Sequence, residues 1–322
     1  MDDTNKIRLY FMGSGEIAVP VLAALSASSK IDLLGICTQP DQPAGRHCML
    51  RETPIAKFAP STGISPDKPE RVDDAGFLTY LASLNPDVIL VVSFGQILRK
   101  ELLELPKYGC VNIHSSLLPS YRGASPISST ILNRDRITGV TFMQMDEGLD
   151  TGGIYSSYRY PLTGNEYVGD LEKSLGDFAA EHTVGVLVRI VNGKLKPVTQ
   201  NPNEVTLTRK IKKQDGAVDW SMAAEDLEAK IRAFTPWPGV FFTACRNNRD
   251  IRIKITAARI LKEIEGKPGE IIQADTKKWV VACGSGALEL IRIVPQGRKE
   301  MGSTDFLNGF RLNKGEFIHG GT

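Results

Sequence analysis

A doubly wound α/β sheet followed by a small β-barrel is the fold class that this 322-residue chain predicts. Three observations carry that expectation. Apolar strand-like runs alternate with helical patterns through the first half, as a mainly parallel sheet covered on both faces requires. The run 86–95, PDVILVVSFG, is almost wholly apolar, as a central strand of such a sheet must be. Beyond about residue 190 the pattern breaks into short β-like runs separated by turns.

The elements follow in order. IRLYFM (7–12) is a strand stopped by GSGE, and IAVPVLAALSAS after it reads as a helix with Pro20 near its first turn. IDLLGICT is the second strand, and the loop QPDQPAGR (39–46) precedes a helix near 52–59. The central strand comes next, then a helix near 97–104 and the strand GCVNIHSS (109–116). SPISSTILN opens a helix with Ser125 placed to cap it and Pro126 at its first position. GVTFMQM (139–145) is a strand and DEGLDTGG (146–153) a turn-rich loop. From 192 the chain mixes Asn, Pro, Lys and Gly without periodicity, so 190–206 is expected to link a domain at 1–189 to one at 207–322. The second domain offers a helix, AAEDLEAKIRAF, and five runs with strand character: VFFTAC, IRIKITAARIL, GEIIQAD, KWVVACG and ALELIRIVP.

Composition excludes several classes. With 42% hydrophobic residues the chain can bury a core unaided, and its five scattered cysteines contain no CxxC pair, which argues against a disulfide framework or a zinc site. No metal is expected. No run approaches the roughly 20 apolar residues that span a bilayer, and the first 15 residues lack a signal-peptide pattern, so a cytoplasmic protein is expected. Charge divides at the proposed boundary. Residues 207–322 hold 20 Lys and Arg against 14 acids, while residues 1–206 hold 19 against 23, so a near-neutral chain conceals a basic half suited to a polyanion. RKIKK at 209–213 sharpens that reading, although a mildly basic surface is often only a solvated one.

Two motifs carry chemistry. Gly13, Gly15 and Ala18 match the dinucleotide pattern GxGxxG/A between a strand and a helix, the basis for a nicotinamide-dependent oxidoreductase. The acid that should follow about 20 residues on is missing from the end of the second strand; Asp41 lies inside a Pro-bounded loop. The other motif is the pair Asn112 and His114. At i and i+2 they share one face of a strand, at the carboxyl end where open α/β sheets bind ligands. A buried, hydrogen-bonded Asn/His pair explains them without function. Asp150, in another strand-following loop, adds a carboxylate, although beside Gly148 and Gly152 it also serves as an ordinary turn residue. Amide, imidazole and carboxylate together suit acyl transfer: two groups to hold an oxyanion and one to orient the ring and relay protons. Neither a GxSxG elbow nor a P-loop is present.

VNIHSSLLPSYRGASPI followed by TGVTFMQMDEGLDTGGI resembles the formyltransferase family that takes its one-carbon unit from 10-formyltetrahydrofolate. The resemblance extends through TQPDQPAGR, TLTRKIKKQDGAVDW, IRAFTPWPG and FLNGFRLNKGE, in the order and spacing of the branch whose acceptor is methionyl-tRNA. It implies a Rossmann-like catalytic domain with Asn112, His114 and Asp150 as the catalytic trio, and an OB-like barrel that binds initiator tRNA. Folate is expected to meet Ser116, Leu117, Leu118 and Pro119 together with Phe94, Gly95, Gln96, Ile97 and Leu98. The expected tRNA contacts are Gln42 and Arg46 in the first domain and Arg209, Lys210, Lys212 and Lys213 in the second, on a monomeric enzyme. Acceptors such as an amino sugar nucleotide remain the alternative. Two departures stand out. Ser115 occupies a family glycine position, which would cost roughly 1–2 kcal/mol if the backbone there were left-handed. Gln42, Cys48 and Met49 stand where the family loop is more basic.

Overall fold

The computed structural model describes residues 6–44, 49–246 and 249–320. They divide into two compact units, the first drawn from 1–126, 137–161 and 171–208, the second from 127–136, 162–170 and 209–322. Residues 190–206, which the sequence pattern marks as linker, thus pack within the first unit.

In chain order the first unit runs β1 (Ile7–Gly13), α1 (Ala18–Ser26), β2 (Ile31–Cys37), a hairpin of β3 (Gln42–Ala44) and β4 (Met49–Arg51), α2 (Pro54–Phe58), α3 (Ala75–Leu84), β5 (Val88–Val92), α4 (Lys100–Leu103), β6 (Cys110–His114) and β7 (Arg122–Gly123). The helix α5 (Pro126–Leu132) starts at its edge, and β8 (Ile137–Gln144), β9 (Ile154–Pro161), most of α6 (Val168–Val191) and β10 (Leu207–Thr208) complete it. The sheet order is β2-β1-β5-β6-β8-β9. Pairing is parallel from β2 to β6 and antiparallel from β6 to β9. All five residues of β5 are buried, as the unbroken apolar run requires.

Local chemistry sets several boundaries. Thr53 accepts the amide of Ala56 at 3.0 Å on its side chain and that of Lys57 at 3.2 Å on its carbonyl, and Pro54, which has no amide to satisfy, follows it and starts α2. Asp74 caps α3 through the amides of Gly76 and Phe77, and Asn85 closes it with a left-handed φ of 45°. The helix expected near 97–104 shortens to α4, because residues 94–99 form a loop instead. Residues 154–191, to which the sequence pattern assigned no element, form β9 and the 24-residue α6. Its buried positions Leu171, Leu175, Ala179, Thr183, Val186, Leu187 and Ile190 recur at helical spacing. Each large aliphatic among them contributes roughly 1.5–3 kcal/mol by leaving water.

The second unit contains α7 (Ala224–Phe234), β11 (Val240–Arg246), β12 (Arg249–Leu261), β13 (Ile271–Ala274), β14 (Trp279–Ala282), β15 (Ala287–Pro295), β16 (Met301–Gly302), α8 (Ser303–Gly309) and β17 (His319–Gly320). Its antiparallel sheet, ordered β13-β14-β15-β12-β11-β17, curls into a half-barrel. Residues 315–320 tie the two edges, pairing with 269–271 on one side and Phe242 and Thr243 on the other. Phe242 sits edge-on to both Trp220 and Trp279, and Trp279 stacks on Phe306 at 5.9 Å between ring centres.

Candidate active site

Asn112 and His114 lie on β6, the last parallel strand, and share one face by the strand's period of two. His114 is its final residue and is buried; it pairs across to Thr141 of β8. Thr141 Oγ1 donates to the Ser116 carbonyl at 2.7 Å and accepts the Leu118 amide at 3.1 Å, so β8 fixes the loop leaving the strand. Asn112 is partly exposed, and among the described residues nothing hydrogen-bonds its side-chain amide.

His114 Nε2 lies 2.9 Å from the carbonyl oxygen of Tyr121. A carbonyl only accepts, so Nε2 carries the proton. Nδ1 faces Asp150 Oδ2 at 3.6 Å, within ion-pair range but beyond hydrogen-bond length. The sequence pattern gave Asp150 the task of orienting the imidazole; at hydrogen-bond distance that task falls to the Tyr121 carbonyl. Asp150 Oδ2 accepts the Gly123 amide at 2.8 Å. Tyr121 (φ 62°) and Asp150 (φ 53°) both sit in the left-handed region, each at a cost of about 1–2 kcal/mol for a residue with a Cβ. Such conformations persist only where neighbouring bonds over-determine them, and they concentrate at functional sites. At Gly123 (φ 111°) a Cβ would run into the carbonyl oxygen of Thr208, so the chain can follow this path only with glycine there. Ser115 is not left-handed, and the departure from the family glycine therefore carries no backbone penalty.

The stretch 198–208 is a strap along this loop. Tyr121 N donates to Thr206 Oγ1 at 2.7 Å, Arg122 N to the Thr206 carbonyl at 2.9 Å, and Ser125 N to Thr208 Oγ1 at 3.1 Å. Gln200, buried, donates to the carbonyls of Asp150 (2.8 Å) and Gly152 (2.7 Å) and accepts from Arg122 Nε (3.0 Å) and Nη2 (2.8 Å). Neither Gln200 nor Arg122 was marked by the sequence pattern. A polar, unperiodic segment gives no sign that it runs along a buried site.

The expected folate segments split by environment. Ser116 is buried with its hydroxyl on the Ser120 carbonyl (2.6 Å), Leu118 is buried, and Leu117 and Pro119 are half-buried. Phe94 and Leu98 belong to the core with Tyr10, Met12 and Val72. Gln96 is spent on the backbone, accepting Val72 N at 3.1 Å and donating to the Pro69 carbonyl at 3.2 Å. Gly95 turns the chain with φ 84°, and Ile97 is 84% exposed. Gln96 and Ile97 line an open cleft of about 380 Å³ with Gln39, Pro40, Gln42, Glu70, Arg71, Asp73 and Arg99. Asn112, His114 and Asp150 do not line that cleft.

The turn at Gly13–Ala18 does not offer a phosphate cradle. The amides of Ser14 and Gly15 are both spent on the Ser93 carbonyl, at 3.2 and 3.3 Å, whereas a dinucleotide site needs them free. Ser14 Oγ donates to the Phe94 carbonyl and accepts the amide of Gln39. Gly13 permits close packing on the ring of Phe11 and on Ala18. Glu172 of α6 approaches the same turn; burial, with Glu16 nearby, raises its carboxyl above the usual range against the opposing hydrogen bond from Ile17.

Of the expected tRNA contacts, Arg46 lies outside the described residues, as does Cys48. Gln42 is exposed on β3 directly opposite Arg51, which places a cation beside it just past the loop. Lys210, Lys212 and Lys213 are exposed in the second unit. Arg209 is held by Asp215 through two bonds of 2.7 Å, and that carboxyl is brought down to about 2, chiefly by this pairing.

The model of the formyl transferase family matches residues 6–187, and that of the formyl transferase C-terminal domain matches 210–311. The chain belongs to the formyl transferase family. This formyl transferase, and hence one-carbon group transferase, is 39% identical to methionyl-tRNA formyltransferase of Magnetococcus marinus over 96% of its own length and 97% of the relative's. With methionyl-tRNA formyltransferase of Sorangium cellulosum it shares 37% over 96% and 98%. Its fold resembles that of WlaRD, a sugar 3N-formyl transferase crystallised in the presence of dTDP and 5-N-formyl-THF, with a TM-score of 0.63 at 19% identity, covering 92% of this formyl transferase and 100% of WlaRD. Among its described residues no helix is long and apolar enough to cross a membrane.

Proposed function

We propose that this formyl transferase moves the formyl group of 10-formyltetrahydrofolate onto the α-amine of methionyl-tRNA, the initiator species. The supporting observation is identity of 37–39% to methionyl-tRNA formyltransferases across nearly the whole of both chains, the basic second unit included. A likeness in fold to sugar formyl transferases at 19% identity does not extend to their acceptor.

In the proposed chemistry the amine, whose reference pKa is near 7.7–8.0, attacks the formyl carbon in its neutral form. The C–N bond to the amine forms as the carbonyl becomes an oxyanion. The free amide of Asn112 and a protonated Nδ1 of His114, whose positive charge the Asp150 carboxylate balances from 3.6 Å, donate to that oxyanion. Collapse breaks the bond from the formyl carbon to folate N10, and the proton lost by the amine passes through the His114–Asp150 pair to that nitrogen. The Tyr121 carbonyl keeps the ring aimed throughout by holding Nε2–H. Ile97 and the 116–119 loop would contact the folate, while Phe94 and Leu98 support it from the core. The first unit, with the 190–206 segment inside it, then carries folate and chemistry, and the basic 207–322 region carries most of the tRNA contact.

Charged initiator tRNA incubated with the protein and 10-formyltetrahydrofolate should yield formyl-methionine. Formylation of an amino sugar nucleotide in its place, with none of the tRNA, would overturn the acceptor.

A further inference from the structure

We propose that Gln200 is a positioning residue for formyl transfer, setting the approach of Asp150 to His114 by joining the Asp150 loop to Arg122. The inference rests on the reading of His114 and Asp150 as the reacting pair.

Gln200 is only 6% exposed, and its side chain uses every hydrogen-bonding valence it has. Its two N–H groups go to the carbonyls of Asp150 and Gly152, and its oxygen takes two N–H groups of Arg122. The three consecutive residues it thereby steadies each do something different at the site. Tyr121 presents its carbonyl to His114 Nε2, Arg122 reaches Gln200, and Gly123 gives its amide to the Asp150 carboxylate. Gln200 braces, from Arg122 across to the Asp150 loop, a ring that runs from His114 through 121–123 to Asp150 and back to the imidazole at 3.6 Å. Asp150 is left-handed, and the Gln200 bonds to its carbonyl and to that of Gly152 hold the backbone on the far side of that residue, together with Thr151 Oγ1 on Asp146 (2.6 Å) and Gln144 N on the Gly153 carbonyl (2.8 Å).

The chemistry of the position selects an amide. Two carbonyls ask for two donors and a guanidinium asks for an acceptor, and of the neutral side chains only Gln and Asn offer two N–H donors together with an acceptor oxygen. A glutamate would turn an oxygen lone pair toward each carbonyl while keeping Arg122. Methionine would keep the volume and lose every bond.

Gln200→Met, Gln200→Glu, Asp150→Asn and the Gln200→Met/Asp150→Asn pair are compared with wild type, measuring kcat and KM for 10-formyltetrahydrofolate and methionyl-tRNA. Misplacement of a reacting group by about 1 Å costs on the order of 100-fold, so Gln200→Met should lower kcat about 10- to 100-fold with both KM values within about 3-fold. Because the residue acts through Asp150, Gln200→Met should cost less than about 3-fold in the Asp150→Asn background. Gln200→Glu, which keeps the Arg122 contacts should the methionine variant not fold, adds a pH readout. Its rate relative to wild type should rise as pH falls, since the introduced carboxyl, once protonated, can donate to one of the two carbonyls. The inference is overturned if Asp150→Asn collapses turnover while both Gln200 variants keep it, if the double variant loses the full product of the single losses, or if the Gln200→Glu deficit does not change with pH. If Asp150→Asn itself keeps near-normal turnover, the reading of the reacting pair falls, and the inference with it.

Discussion

The turn after β1 and the loop after β6 stand at equivalent places, the carboxyl ends of parallel strands in one sheet, and they spend their backbone groups in opposite ways. After β1 the amides of Ser14 and Gly15 both close on the Ser93 carbonyl, inside the protein. After β6 the strained Tyr121 directs its carbonyl at the imidazole of His114, and Gly123 there holds the carboxylate of the strained Asp150, which reaches the same ring from the loop after β8. A strand end in an open α/β sheet is a place where a site can be built, and which end is used depends on whether the polar groups there are already satisfied. The glycine pattern after β1 looked like a cofactor site and serves packing. The pattern after β6 looked like a polar strand end and gathers an amide, an imidazole and, from the loop after β8, a carboxylate.

The largest effect should come from Asp150→Asn, which keeps the shape and removes the charge facing His114. If proton transfer passes through that pair, kcat falls about 10² to 10⁴-fold in steady-state formylation while folate affinity is kept. Turnover within 3-fold of wild type would make the two strand ends alike in doing nothing chemical.

Next comes the exposed charge of the second unit. Replacing Lys210, Lys212 and Lys213 together by alanine should reduce the slope of log affinity for tRNA against log salt by about 2 to 3 in filter binding. Arg209→Ala should change that slope by less than about 0.5, because Asp215 already neutralises the guanidinium. A reversed ranking would mean that the Asp215 pairing opens on binding.

Glu172 gives a smaller, pH-dependent effect at the β1 turn. Burial raises its carboxyl in the folded protein, so the folded state holds the proton more tightly than the unfolded chain, and stability is lost as pH rises through the folded value. Glu172→Gln should therefore melt higher than wild type at pH 8 and match it at pH 4 in a thermal scan. Equal melting at both would show that the carboxylate is compensated there.

The smallest expected effect is none. NAD or NADH at about 1 mM should leave Tm within about 1 °C, whereas binding at 100-fold over Kd would add about 2.7 kcal/mol and a clear shift.

Much of this was legible in the residues. The β5 run, the proline-led helices and the Asn112/His114 spacing depend on local pattern, and pattern is visible in sequence. The long α6 was harder, since its buried stripe includes Ala179, Gly176 and Thr183, which are weak hydrophobic markers even at helical spacing. Its neighbour β9 exposes Ser157, Arg159 and Pro161 and carries no apolar run. At the site, the trio came from spacing and family motifs, but the holding groups did not. Tyr121 contributes only a carbonyl, a group every residue has. Gln200 reaches Asp150 across 50 positions, and no local pattern encodes a contact of that range. Arg51 escaped because it lies beyond the loop by sequence and opposite Gln42 only through hairpin register.

Single-turnover formylation by His114→Ala, run beside equilibrium folate binding on the same preparation, separates chemistry from binding at the β6 end. The proposed chemistry places the imidazole against the oxyanion only as the formyl carbon becomes tetrahedral, so the rate should fall about 10² to 10⁴-fold while folate binds within about 3-fold of wild type. A variant that binds folate normally and forms formyl-methionine at near the wild-type rate would contradict the assignment of this strand end as the catalytic one.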